Sequence, residues 1–299
     1  MKQTDSTPAP IAQPADVPPA TEGALAMFHG RTNPWLVFLL PFVVYMLIGG
    51  FEPGPPPANG AKSASWLDLG IEYRHYPLVY SIKILLTAAA MIYVLPGYRQ
   101  ISCRTPRQPN KPDALATDTG QNPSLARRAS VAGPFQLAIL VGVLGVFAWI
   151  ALAWAQRYAQ QRLGWSPGFG ERTAFNPLRE LATTPAWAYA FLAIRFLGLV
   201  LVVPVIEECF LRGFVMRYVV AADWWRVPIG TVTRAAVIAG AALPVLMHPN
   251  EVLAAAVWFS AVTWLAVRTQ NLWSCIVAHA TTNLLLGVYV LATGKWWLM

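Results

Sequence analysis

The chain has 299 residues and a net charge of +8, yet only 12% of it is charged, 56% is hydrophobic and the mean hydropathy is +0.45. An average soluble domain carries about twice that share of charge, so the composition excludes an ordinary soluble protein and describes a polytopic membrane protein. The positive excess is not a nucleic-acid footprint. Much of it sits in one connecting stretch, as Arg99, Arg104, Arg107, Lys111, Arg127 and Arg128 against Asp113 and Asp118, which is the mark of a cytoplasmic loop between membrane spans.

Taken in chain order, residues 1–33 are rich in Pro, Ala and Thr and lack an apolar core, so they read as a disordered tail and not as a cleavable signal. His29 falls in that tail. Residues 34–299 read as one membrane domain. A membrane helix needs roughly 20 mostly apolar residues. The first candidate runs from Trp35 to about Phe51 and stops at Glu52-Pro-Gly-Pro-Pro-Pro. The second runs from about Leu78 to Leu95, interrupted only by Lys83, and is preceded by a polar connection that holds His75. Pro96-Gly97 is expected to end it, and the basic stretch 98–133 reads as a flexible cytoplasmic loop.

A third span covers 134–155, followed by a connection at 156–185. The next apolar region, from about Ala186 to Val220, would make about 50 Å of helix, too long for one upright span. Pro204 is expected to kink or divide it. Two further spans are expected at about 235–247 and 251–267, and a last one from Leu272 to about Ala292. The fold class is therefore all-α, a polytopic transmembrane helical bundle of about seven to eight membrane helices in contact with membrane lipid. With 98–133 cytoplasmic, the amino terminus is cytoplasmic too, and the cell (inner) membrane is the expected location.

Few polar side chains lie within the apolar helices. Cys103, Cys209 and Cys275 show no disulfide or zinc-ribbon spacing. Glu207 and Glu208 end an apolar run from Phe196 to Ile206, where a carboxylate costs a few kcal/mol and normally has a partner or a task. Arg212 is four residues after Glu208 and best reaches that carboxylate. This predicts a supporting Glu208–Arg212 ion pair and leaves Glu207 free to act. His248 follows Ala-Leu-Pro-Val-Leu-Met, and His279 lies in the last apolar helix with Asn283 one turn on, on the same face.

Each imidazole taken alone reads as interhelical hydrogen bonding. Together with the glutamates on successive helices they suggest an activated water. Glu207 would serve as general base, a neighbouring imidazole would share the proton, and an Asn amide with a second imidazole would donate to an oxyanion. Glu207, His248 and His279 are equally a candidate zinc set with an open fourth position, although no HExxH is present. Arg195, a lone cation in an apolar helix, reads either as snorkelling to an interface or as a partner for a substrate carboxylate or Glu180. Asp223 with Arg226 reads as an interfacial charge cluster.

At these residues the chain resembles the CPBP intramembrane protease family, which includes the CAAX prenyl endopeptidases of the Ras-converting type and bacterial Abi proteins. The family's EExxxR motif is matched by Glu207-Glu208-Cys-Phe-Leu-Arg212, its second-motif histidine by His248, and its HxxxN/D motif by His279-Ala-Thr-Thr-Asn283. The match spans roughly 190–290, within a core of about 186–293. Val-Pro-Val-Ile-Glu-Glu, Phe-Val-Met-Arg217 and Asp223-Trp-Trp look most like the CAAX prenyl protease-related branch, whose members tend to accompany exosortase/PEP-CTERM export systems.

The resemblance implies a membrane-embedded helical fold with a water-accessible cavity and an endopeptidase acting near the carboxy terminus of a protein or peptide substrate. It assigns water activation to Glu207 and His248 and the oxyanion to His279 and Asn283, in either a glutamate-type or a metalloprotease mechanism. Two other readings stay open on sequence grounds: a non-catalytic scaffold or immunity-type factor on the same fold, and an ion-coupled transporter, for which no inverted repeat is visible.

Overall fold

A computed structural model of the chain describes residues 30–55, 70–103, 123–165 and 175–299, the side chains of 100–103 and 123–132 excepted. No strand occurs among the described residues. Nine helices form among the described residues: α1 (Pro34–Gly49), α2 (Tyr76–Tyr93), α3 (Leu95–Cys103), α4 (Pro123–Leu163), the single turn α5 (Pro177–Glu180), α6 (Pro185–Val220), α7 (Arg234–Met247), α8 (Val252–Thr269) and α9 (Leu272–Thr293). Five helical segments, at Tyr73–Tyr93, Gly133–Leu163, α6, α8 and α9, are long and apolar enough to cross a membrane. Helices α1 and α7 are shorter and apolar. The all-α polytopic bundle is as expected, with seven apolar elements.

The second span ends at Tyr93, just ahead of Pro96-Gly97 as expected, and the separate helix α3 starts at Leu95 with Pro96 in its first turn, where a missing N–H costs nothing. The boundaries differ from expectation in two places. The stretch 98–133 is helical at both ends, in α3 and from Pro123 onward in α4, while 104–122 and the tail to residue 29 lie outside the described residues. The third span continues to Leu163, because Ala155-Gln-Arg-Tyr-Ala-Gln-Gln-Arg consists mostly of good helix formers, although it is no longer apolar.

Helix α6 is the axis of the bundle. The α1–α2 pair packs along one side of it, α9 and α7 lie on others, and α4 rests across α8 and α9. That last approach depends on two glycines one turn apart. A Cβ on Gly142 would come within 2.7 Å of the Ala278 carbonyl oxygen, and one on Gly145 would overlap the Trp258 ring. With no side chain there, Thr282 Oγ1 donates to the Gly142 carbonyl at 2.8 Å. The Lys83 ammonium, which interrupts the second apolar run, is buried against Glu52 and faces the rings of Tyr45 and Tyr80 at 4.3 and 4.6 Å. Its charge is thus neutralised inside the bundle, as a cation at membrane depth requires.

Pro204 does not divide α6. The helix stays continuous by widening into two π-helical turns, Gly198–Val202 just before the proline and Cys209–Val215 just after the glutamates. Across the first, Val203 N–H reaches back to Gly198 O, and across the second Met216 N–H reaches Leu211 O. Each π turn adds one residue to the helix without breaking it. Arg195 neither snorkels nor pairs with Glu180, which instead binds Arg179 at 2.7 Å. It is buried and donates to the Phe175 carbonyl at 2.8 Å and to the Met299 main-chain oxygen at 3.1 Å. The Asp-Trp-Trp signature buries Trp224 in contact with Trp35, Phe38 and Phe214, joining α1 to the end of α6. Asp223 itself is exposed.

Replacing Gly145 with Leu is expected to force α4 away from α8, at about 1–3 kcal/mol. A lowered unfolding temperature in detergent micelles checks this, with the lipid-facing Leu144→Ala as a near-neutral control.

Candidate active site

Consecutive positions on a helix diverge by about 100°, so Glu207 and Glu208 cannot face the same neighbour in the same way. Glu208 is fully buried. Its two oxygens each lie 3.2 Å from Arg212 Nη1, one turn on. Arg212 Nη2 crosses to α8, donating to the Phe259 carbonyl at 3.0 Å and Thr263 Oγ1 at 3.2 Å, and the guanidinium sits 5.5 Å from the Phe259 ring. The expected Glu208–Arg212 pair is therefore present, and it also ties α6 to α8.

The same Glu208 carboxylate reaches the third helix. His279 of α9 places Nδ1 3.0 Å from Glu208 Oε1 and Nε2 3.9 Å from Glu207 Oε2. A carboxylate held by a guanidinium accepts from its other neighbour as well, which assigns the proton on His279 to Nδ1 and leaves Nε2 facing Glu207. Direct contact at 3.9 Å is too long for a hydrogen bond, and the separation suits one water bonded to both groups. The imidazole is held edge-on by Trp258 and Phe259, with ring centroids 6.2 and 6.1 Å away. Arg212, Glu208, His279 and Glu207 thus form one continuous row. His279 lies about 10 Å into α9 at 1.5 Å per residue, so the row is well inside the apolar region.

Asn283, one turn beyond His279, joins the same face of α9 to α6 by donating from Nδ2 to the Leu199 carbonyl at 2.9 Å. His248 is placed differently. It ends α7, where its Nδ1 lies 2.8 Å from the Pro244 carbonyl, an oxygen that only accepts, so Nδ1 is protonated and Nε2 is free to accept. Its ring packs on Phe259 at 5.1 Å and on Trp149 at 5.9 Å. Among the described residues no hydrogen bond or ion pair joins His248 to Glu207, Glu208 or His279. The two imidazoles are related through the Phe259 ring, which both touch.

Sequence reasoning missed three contributors. Thr263 and Phe259 carry no signal, because a helical threonine ordinarily bonds its own preceding turn and a phenylalanine is ordinary core. Gln156 of α4 is the third. It is buried, donates from Nε2 to the Asn250 carbonyl at 2.7 Å and accepts from the Leu253 N–H at 3.2 Å. That double bond fixes the turn after His248 and caps the start of α8. The polar residues around it in sequence disguise it as a helix end.

The donor set expected for zinc does not assemble. Among the described residues no three His, Cys, Asp or Glu side chains come together as a metal-holding group. Glu207 and His279 supply two donors, the other His279 nitrogen is taken by Glu208, and His248 stands apart.

Residues 189–285 match the family of type II CAAX prenyl endopeptidases, Rce1-like. The row of four residues, Asn283 and His248 all fall in that segment, so the resemblance read from three short motifs is borne out there. Comparisons with curated proteins and with solved structures gave no match. The chain is an integral, multi-pass membrane protein whose residues 189–285 are similar to the CAAX-protease type, and α1–α4 lie outside the matched segment.

Arg212→Ala leaves Glu208 buried without its cation and is expected to cost about 3–5 kcal/mol. Thr263→Val removes one hydrogen bond and should cost about 1 kcal/mol. Denaturant titration in micelles would order the two, and equal losses would contradict the arrangement.

Proposed function

We propose that the protein is an intramembrane endopeptidase of the CAAX-protease type, cutting a peptide bond near the carboxy terminus of a membrane-associated protein or peptide. The observation that carries this reading is the approach of Glu207 to His279 Nε2, with the other nitrogen of His279 bound to the Glu208–Arg212 pair. A carboxylate and an oriented imidazole facing one water-sized gap are the parts of a general base.

In this reading a water bonds to Glu207 and His279 Nε2. Glu207 takes a proton as the water oxygen attacks the scissile carbonyl carbon. The new C–O bond moves an electron pair onto the carbonyl oxygen, and N–H donors stabilise that oxyanion. The second amide hydrogen of Asn283 is the candidate for this part. Collapse breaks the C–N bond, and the proton on Glu207 passes to the leaving nitrogen, giving a carboxylic acid and an amine. The family resemblance pairs Glu207 with His248 instead. The 3.9 Å separation favours His279 in that part and leaves His248 toward the substrate.

Chain direction supports a cytoplasmic amino terminus. The start of α1 lies beside the end of α2, where Arg31 covers the Tyr93 ring at 5.1 Å. Successive crossings then return the starts of α4, α7 and α9 and the ends of α6 and α8 to that side. Arg99, Arg104, Arg107, Lys111, Arg127, Arg128, Arg226, Arg234 and Arg268 belong to the connections or helix ends there, the bias expected of a cytoplasmic face. The first substrate to try follows from the family's description, a peptide ending in a prenylated CAAX sequence. An unprenylated peptide from an exosortase-type export substrate is the comparison.

The test is peptide cleavage by the purified protein in liposomes, read by mass spectrometry of the released carboxy-terminal fragment. Glu207→Gln and His279→Ala should each lower the rate by at least about a hundredfold while the protein still inserts. Undiminished cleavage by Glu207→Gln would sink the reading, and a biological phenotype that survives loss of Glu207, His248 and His279 would favour the non-catalytic scaffold.

A further inference from the structure

The π turn ahead of the glutamates raises a hydrogen-bonding question that Pro204 makes acute. In a regular α-helix the Leu199 carbonyl would accept from Val203 N–H, but that donor is spent on Gly198 O. In a π-helix the donor would come from residue 204, and Pro204 has no N–H. The Leu199 carbonyl therefore has no main-chain donor in either register. A carbonyl left bare at membrane depth is costly, because lipid offers no replacement donor. Asn283 Nδ2 fills the place, donating to Leu199 O at 2.9 Å from the neighbouring helix.

We infer that Asn283 is a positioning residue, whose amide substitutes for the hydrogen missing from Pro204 and locks the π turn that sets the rotation of Glu207 and Glu208. The consequence is geometric. A one-residue insertion rotates everything beyond it by about 100°, so a relaxed π turn would swing both carboxylates away from α9. The bond reaches that turn from the same helix face that carries His279, and it thereby fixes the two halves of the site against each other. Close packing on α9 supports the same register, since a Cβ on Gly287, one turn beyond Asn283, would come within 2.9 Å of the Phe196 ring. This inference rests on the proposed site for its effect on activity, but not for its effect on α6.

A double-mutant cycle between positions 204 and 283 tests it, read both by thermal unfolding in micelles and by peptide cleavage in liposomes. Asn283→Ala should lower the unfolding temperature by several degrees and slow cleavage at least about tenfold, as loss of a buried partner does. In Pro204→Ala, which restores an N–H on α6, the same Asn283→Ala change should lower the unfolding temperature by less than about half as much. An undiminished unfolding penalty in both backgrounds overturns the proposal, because a residue that merely packs has no reason to depend on position 204. If Pro204→Ala fails to fold, hydrogen exchange over residues 198–208 decides. Asn283→Ala alone should speed exchange there, and unchanged exchange overturns the inference. A wild-type protein that cleaves nothing counts against the proposed function, while the unfolding and exchange readouts still judge Asn283.

Discussion

The structure turns on a single buried carboxylate. Glu208 accepts from Arg212 on its own helix and from His279 on α9, while Arg212 reaches on to two oxygens of α8. Ionic groups this deep are held only where each finds partners, so three helices are obliged to meet at one point. Packing alone would tolerate small slips between such apolar helices. The charge network does not, because each slip would strand a charge. Glu207 stands next in line, with its position inherited from a network to which it contributes no hydrogen bond.

Helix α6 solves a second problem in the same few residues. A run of 36 residues crosses the bundle and carries a proline near its middle, a combination that usually kinks a helix. Two π turns absorb the proline and the glutamate pair without a break. The first leaves the Leu199 carbonyl without a main-chain donor, and the neighbouring helix answers with the Asn283 amide. Irregular backbone at the site is thus tolerated because side chains from α9 complete it.

The outer helices serve the same end by other means. Helix α4 lies outside the segment that matches the endopeptidase family, yet it supplies Gln156 to the turn after His248 and the Trp149 ring beside that imidazole. Its two glycines bring it close enough to do so. The aromatic group around Trp224 joins α1 to the far end of α6. These contacts hold the matched core without any motif of their own.

Composition and apolar run length were enough to establish the membrane class, about seven to eight apolar elements and the polar residues worth following, because the bilayer limits length and charge in ways a sequence records directly. The spacing of Glu208 and Arg212 foretold their pairing, since helical neighbours are local. Which imidazole faces Glu207 was not legible, because His248 and His279 sit on helices whose relative rotation no local pattern encodes. Nor was the fate of Pro204, as the donor that rescues its helix comes from 84 positions away. Sequence determined which groups had to be buried and paired. Only the tertiary structure decided with whom, because partnership between helices depends on rotation and depth, and those are set when the helices pack.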